Sequence, residues 1–183
     1  MLMTTRSILR VLFLLSLTTL VHAGLPPGRT LADVPVSLPG GKKLDLKQYR
    51  GKALVLTIIA TTCKDCGEVV DLLKLIQTEQ GPHGLQVVVA AGDPNAAVAI
   101  SPFAAEHKPN FPLGYLDRPA IIKIANIGPT DRPFVPIMLF VDARGAVRVQ
   151  IFGNDPLMKK PEGIIRSTIR ELLKEPGITA AKN

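Results

Sequence analysis

A chain of 183 residues fits one domain of ordinary size plus a short leader, and 46% hydrophobic with 20% charged residues is a globular composition. The formal charge of +7 is spread along the chain, with Trp 0, Tyr 2 and Phe 6; without a basic stripe interleaved with aromatics, nucleic acid is excluded as a partner. A domain of about 160 residues buries roughly two-thirds of its unfolded surface and folds without a disulfide staple. The only two cysteines are therefore free for chemistry.

The first 23 residues read as a secretory signal peptide. Arg6 and Arg10 form a positive start, Val11 to Leu20 an apolar core, and Val21-His22-Ala23 a small-residue cleavage site. The apolar run is short for a membrane span, which needs about 20 residues; an uncleaved leader acting as a membrane tether is the alternative. Removal of Arg6 and Arg10 lowers the charge from +7 to +5. Residues 24–30 are rich in Gly and Pro and read as a flexible entry segment. The domain proper is placed at 31–176, with 177–183 as a tail.

Within the domain, Val34 to Leu38 and Lys43 to Leu46 flank Pro39-Gly40-Gly41 as an N-terminal β-hairpin extension. Ala53 to Ala60 is an apolar run suited to a strand buried on both faces. Cys63 and Cys66 follow at once, and Val69, Leu72, Leu73 and Ile76 recur at helical spacing up to Gly81-Pro82. Leu85 to Ala91 is a second buried strand, closed by Gly92-Asp93-Pro94. Helices are expected over Asn95 to His107, interrupted at Ser101-Pro102, and over Pro119 to Asn126. Ile137 to Val141 and Val147 to Phe152 form a hairpin around Asp142-Ala143-Arg144-Gly145, and an amphipathic last helix carries Ile165, Ile169, Leu172 and Leu173. The order predicts an α/β fold, a mixed sheet flanked by helices on both faces.

Cys63-Lys64-Asp65-Cys66 lies where a buried strand hands over to a helix. Two intervening residues bring the sulfurs together across the first turn. The helix N-terminus favours a thiolate on the first cysteine, the attacking species in disulfide exchange. Cys63 is thus the candidate nucleophile and Cys66 the resolving thiol. Lys64 favours the Cys63 thiolate and Asp65 opposes it, so both are candidate tuning residues. A zinc site would need two further ligands, and outside the leader only His83 and His107 remain, one in a turn and one at a helix end. A structural disulfide closing so small a loop would add little stability. No metal and no cofactor are expected.

Three segments together resemble the TlpA/ResA-like branch of thioredoxin-fold proteins, related to the AhpC/TSA superfamily. They are Leu44-Asp45-Leu46-Lys47-Gln48-Tyr49-Arg50-Gly51-Lys52, Ala60-Thr61-Thr62-Cys63-Lys64-Asp65-Cys66, and Val135-Pro136-Ile137-Met138-Leu139-Phe140-Val141-Asp142 with Gly145. The resemblance implies a thioredoxin-like fold and a cis Pro136 facing the disulfide. Val135 would then offer its backbone to an extended substrate. It also implies a periplasmic or membrane-tethered oxidoreductase. Its partners would be thiols or disulfides of exported proteins such as apocytochromes c, with a membrane electron donor. The chain departs from the pattern at several points. Thr62 stands for the usual tryptophan, Thr57 for the buried acid, and Val69 for a glutamate, with Glu68 one residue early. Glu68 and Asp71 are the candidate acid/base substitutes, each also suited to a solvated helix face.

Two other functions stay open. A thiol peroxidase would carry threonine three residues before its reactive cysteine, where Ala60 stands. A Cu(I) metallochaperone of the SCO type would carry C-x-x-x-C, one residue longer than the spacing here, although two thiolates suit Cu(I).

Overall fold

The computed structural model describes residues 28–179. The expected leader and residues 24–27 lie outside the described residues, as do residues 180–183 of the tail. The strands in chain order are β1 (Arg29–Thr30), β2 (Val36–Ser37), β3 (Lys43–Leu44), β4 (Ala53–Ile59), β5 (Leu85–Ala91), β6 (Leu113–Tyr115), β7 (Ile137–Val141) and β8 (Ala146–Ile151). The helices are α1 (Lys64–Gln80), α2 (Ala96–His107), α3 (Arg118–Ala125) and α4 (Pro161–Leu173).

All eight strands form one mixed sheet in the order β1-β8-β7-β4-β5-β6-β2-β3. The two apolar runs make its centre. β4 pairs in parallel with β5 from Ala53↔Leu85 to Ile59↔Ala91, and antiparallel with β7 from Leu54↔Val141 to Ile58↔Ile137. Every β4 residue is buried, as expected for a strand covered on both faces. The alternation of its side chains builds two cores. Ala53, Val55 and Ile59 pack with α1, α2 and α4 on one face, whereas Leu54, Leu56 and Ile58 pack with α3 and the N-terminal segment on the other. The expected α/β architecture with helices on both faces is present. The expected N-terminal hairpin is too, with Val36 opposite Leu44 and Ser37 opposite Lys43.

Three elements differ from expectation. Arg29 and Thr30 belong to an edge strand paired to Val147 and Ala146, not to a loose segment. The Arg29 guanidinium anchors it by donating to Ile124 O (2.7 Å) and Gln150 Oε1 (2.8 Å). α2 runs unbroken through Pro102. Pro102 and Val98, whose carbonyl would have received the missing N–H bond, are both exposed, so that carbonyl can be solvated. At the other end of the chain, Thr179 donates from its backbone N–H to Gly51 O (2.7 Å), docking the start of the tail against the domain. Among the described residues, no helix is long and apolar enough to cross a membrane.

The β7–β8 turn is built around Asp142, whose side chain is 2% exposed. It accepts from Ala146 N (2.8 Å), Arg144 N (2.9 Å) and Arg148 Nη1 (3.2 Å). Burial alone would raise this carboxyl, but hydrogen bonds from Ala146, Arg148 and Arg144 and the Arg144 charge outweigh it and hold the group below the usual aspartate value. A carboxyl depressed in the folded state stabilises above its unfolded value and loses that contribution as pH falls through the folded one. Asp142→Asn is therefore expected to cost about 1–3 kcal/mol at pH 7. Its deficit against the native chain should shrink below about pH 4. Urea unfolding of both proteins at pH 7 and pH 3 measures this; an equal deficit at both values would contradict it.

Candidate active site

β4 delivers the chain to the site and α1 receives it. Cys63 is the N-cap of α1, in extended conformation, and its Sγ accepts from Cys66 N at 3.2 Å. Cys63 and Cys66 are joined in a disulfide with Cα atoms 5.2 Å apart. Cys66 is fully buried among the α1–β4 core residues, while Cys63 is half-buried. One sulfur thus lies toward solvent at the positive end of a 17-residue helix and the other faces the core. That asymmetry suits an attacking thiol and a resolving thiol.

The loop before Cys63 is clamped. Thr61 donates from its backbone N–H to Asp93 Oδ1 (2.8 Å) and from its hydroxyl to Asp93 Oδ2 (3.0 Å). Gly92 N donates to Ile59 O (2.8 Å), and Cys63 N to Ala60 O (3.1 Å). The ends of β4 and β5 therefore hold the start of α1 in place. The sequence offers no local sign of the Asp93 clamp, because its partner lies 32 residues away.

On the other side, Ile58 pairs with Ile137. Pro136 and Val135 precede β7 at the end of this pairing, and Val135 lines a groove together with Ala60, three residues before Cys63. The Val135–Pro136 peptide bond is cis. Gly153 N donates to Phe134 O at 3.0 Å, fastening this segment from β8's far end. A groove of about 980 Å³ opens here, bounded by Ala60, Asp93, Pro94, Tyr115, Arg118 and Val135 among others. Next to Val135 in the chain, Phe134 is 64% exposed.

The expected tuning residues lie on the surface. Lys64 and Asp65 are exposed in the first turn of α1. Glu68 does not join the sulfurs: it is exposed and ion-paired to Lys64 (3.5 Å), one turn earlier on the same face. This is the solvated-face role, and it follows from its angular offset of about 100° from the buried position of Val69. Asp71 instead pairs with His107, Oδ1 to Nδ1 at 3.0 Å. His107, at the end of α2 as its sequence position suggests, is packed, with 14% of its side chain exposed.

Thr57 lies on the β4 face shared with α1, by alternation with Val55 and Ile59. It is fully buried, and its Oγ1 has no hydrogen-bond partner among the described residues. An unpaired buried hydroxyl costs free energy. Thr57→Val, nearly isosteric, is expected to raise unfolding stability by about 1 kcal/mol. A comparable loss of stability in urea titration would contradict this.

No protein-family model matches the chain. It is 26% identical over 114 residues to the thiol-disulfide oxidoreductase ResA of Bacillus thuringiensis (strain Al Hakam), a match spanning 62% of each chain. Less than two-thirds of that relative's length is thus covered. A thiol:disulfide interchange protein of the thioredoxin family from Chlorobium tepidum superposes with a TM-score of 0.67 at 16% identity, covering 81% of this chain and 98% of that one. BsSco, a member of the Sco family of cytochrome c oxidase assembly proteins, gives a TM-score of 0.60 at 14% identity, covering 82% and 98%. The two structures establish the fold, and ResA shares with it a recognisable stretch of sequence. The chain has a thioredoxin-like fold and, over 114 residues, is similar in sequence to the thiol-disulfide oxidoreductase ResA.

Proposed function

We propose that the protein is an exported thiol–disulfide oxidoreductase that exchanges disulfides with partner proteins through Cys63 and Cys66. The observation that carries this reading is the disulfide at the N-terminus of α1, with Cys63 toward solvent and Cys66 fully buried. In the reduced protein the Cys63 thiolate attacks a partner disulfide. Its electron pair forms the new S–S bond, and the partner's second sulfur leaves as thiolate and takes up a proton. Cys66 then attacks Cys63 Sγ, re-forms the internal disulfide and releases the partner's remaining thiol. Lys64 and Asp65 set the thiolate's stability in opposite directions.

Val135 and Pro136 position the substrate, which lies extended along the groove beside Ala60 and Val135 in strand-addition mode. The exposed Phe134 suits an apolar side chain flanking the substrate cysteine. The leader features support an extracytoplasmic location, the compartment in which protein disulfides persist. The partners are thiols or disulfides of exported proteins, apocytochromes c among them, with a membrane donor returning electrons. The domain responsible is 31–176, extended by the docked β1 and the start of the tail.

The test is to mix a reduced Cys66→Ser variant with a short disulfide-bonded peptide. The reading predicts a stable mixed disulfide at Cys63, seen by mass, which the native chain resolves. No adduct at Cys63 would overturn it.

A further inference from the structure

One feature near the disulfide has no part in the exchange steps above. Cys63, Gly67 and Asp71 follow one another at four-residue intervals; Gly67 and Asp71 share one face of α1, and Cys63 is its N-cap. Gly67 is tied to Cys63 by its N–H to Cys63 O bond of 3.2 Å. The imidazole of His107, from the end of α2, occupies the space a side chain at 67 would fill. A Cβ there would lie 2.8 Å from Cε1 and 3.1 Å from Nε2 of the ring, but 3.9 Å from Nδ1. Nδ1 is bound to Asp71, one turn further along. Nδ1 is thus held by Asp71, while Cε1 and Nε2 face Gly67, four residues after Cys63. Phe103 fixes the ring from behind, with centroids 4.3 Å apart.

We propose that His107, oriented by Asp71, is the charged partner that stabilises the Cys63 thiolate in the reduced protein. The proposal deepens the exchange reading and rests on it. It gives the chain a cysteine, a histidine and an orienting carboxylate in the order used by activated thiols elsewhere. His107 acts through its charge and is a positioning residue. On reduction the Cys63 proton resides on the imidazole. After Cys63 attacks, the partner's leaving thiolate takes that proton, so the ring returns to its neutral form.

Charged groups of both signs face or flank His107. From α1 they are Asp71 and Lys74, whose Nζ donates to His107 O at 3.3 Å. Glu106 and Lys108 flank it in sequence and are exposed, as are Lys64, Asp65 and Glu68 in the first turn of α1. The Asp71 side chain is 58% exposed and the His107 side chain 14%. Solvent therefore screens the carboxylate more than the ring.

The experiment uses the full reduced chain and follows the iodoacetamide alkylation rate of Cys63 against pH, with the modified cysteine located by peptide mass. His107→Gln is expected to move the midpoint of the profile up by about one unit, a roughly tenfold loss of rate below it. His83→Gln, altered in the turn after α1, should leave the profile in place. Asp71→Asn supplies a test of sign. Loss of a carboxylate acting only by its own charge would move the midpoint down, whereas loss of His107's anchor moves it up. An unchanged midpoint in a folded His107→Gln protein, or a downward shift in Asp71→Asn, overturns the proposal. Should His107→Gln fail to fold, Asp71→Asn decides alone. Alkylation requires no partner disulfide, so failure here is separable from failure of exchange, which the peptide adduct reads.

Discussion

Cys63→Ser is expected to abolish disulfide exchange, leaving only the uncatalysed background, while the folded domain persists. The reason is positional. Cys63 is the more accessible sulfur of the pair, and it alone stands at the N-cap of α1. A serine hydroxyl there forms no S–S bond, and the buried Cys66 has no path to a partner's disulfide. Loss of the bond costs little stability because only two residues separate the cysteines. The measurement is reduction of a disulfide-bonded peptide by the variant, alongside its circular dichroism. Activity equal to the native chain's in a folded Cys63→Ser protein would mean that another group does the chemistry.

Gly153→Ala should have the next largest effect, through geometry and not chemistry. A Cβ at 153 would lie 2.2 Å from Val135 O and 2.5 Å from Val135 C. These are backbone atoms of the segment proposed to hold substrate, and no flexible side chain can yield in their place. Either the Val135–Pro136 segment or the end of β8 must move. Overpacking of this kind costs about 1–3 kcal/mol. A displacement approaching 1 Å of a substrate-positioning segment can lower turnover by about 10²-fold. The expected result is a fall of at least about tenfold in peptide reduction. Unchanged turnover with native stability would show that Val135 and Pro136 do not position substrate.

These two expectations depend on parts of the molecule that were legible to different degrees in the sequence. The central strands were plain, since runs such as Leu85–Ala91 are apolar on both faces and only a sheet covered on both sides accommodates them. The cysteine pair at the strand-to-helix junction was equally plain, because its spacing and its neighbours are local. Short edge elements were not. β1 has two residues and β6 three, too few to show any periodicity, and each is fixed by partners far away in sequence. The same holds for the site's supports. The Thr61–Asp93 clamp and the His107 ring over Gly67 join positions more than 30 residues apart. A glycine in the first turn of a helix was the one local hint of the second. Glycine is a poor helix former, and its presence at 67 implies that something packs closely there.

The missing acid at Thr57 and the solvent-facing Glu68 bear on how the thiolates are managed. Without a buried carboxylate behind Cys66, nothing on β4 raises the cost of a thiolate there or draws a proton from it. The electrostatics of the pair are then left to the helix N-terminus, to Lys64 and Asp65, and to the α1–α2 contact.

The central claim is therefore tested most directly by equilibrating the native chain with glutathione redox buffers and counting alkylatable thiols by mass. An exchange pair is predicted to titrate reversibly as a two-electron couple, within the range of about −270 to −120 mV typical of thioredoxin-fold proteins. A disulfide that stays oxidised throughout, with a potential below about −300 mV, would be a structural bond and would contradict the account.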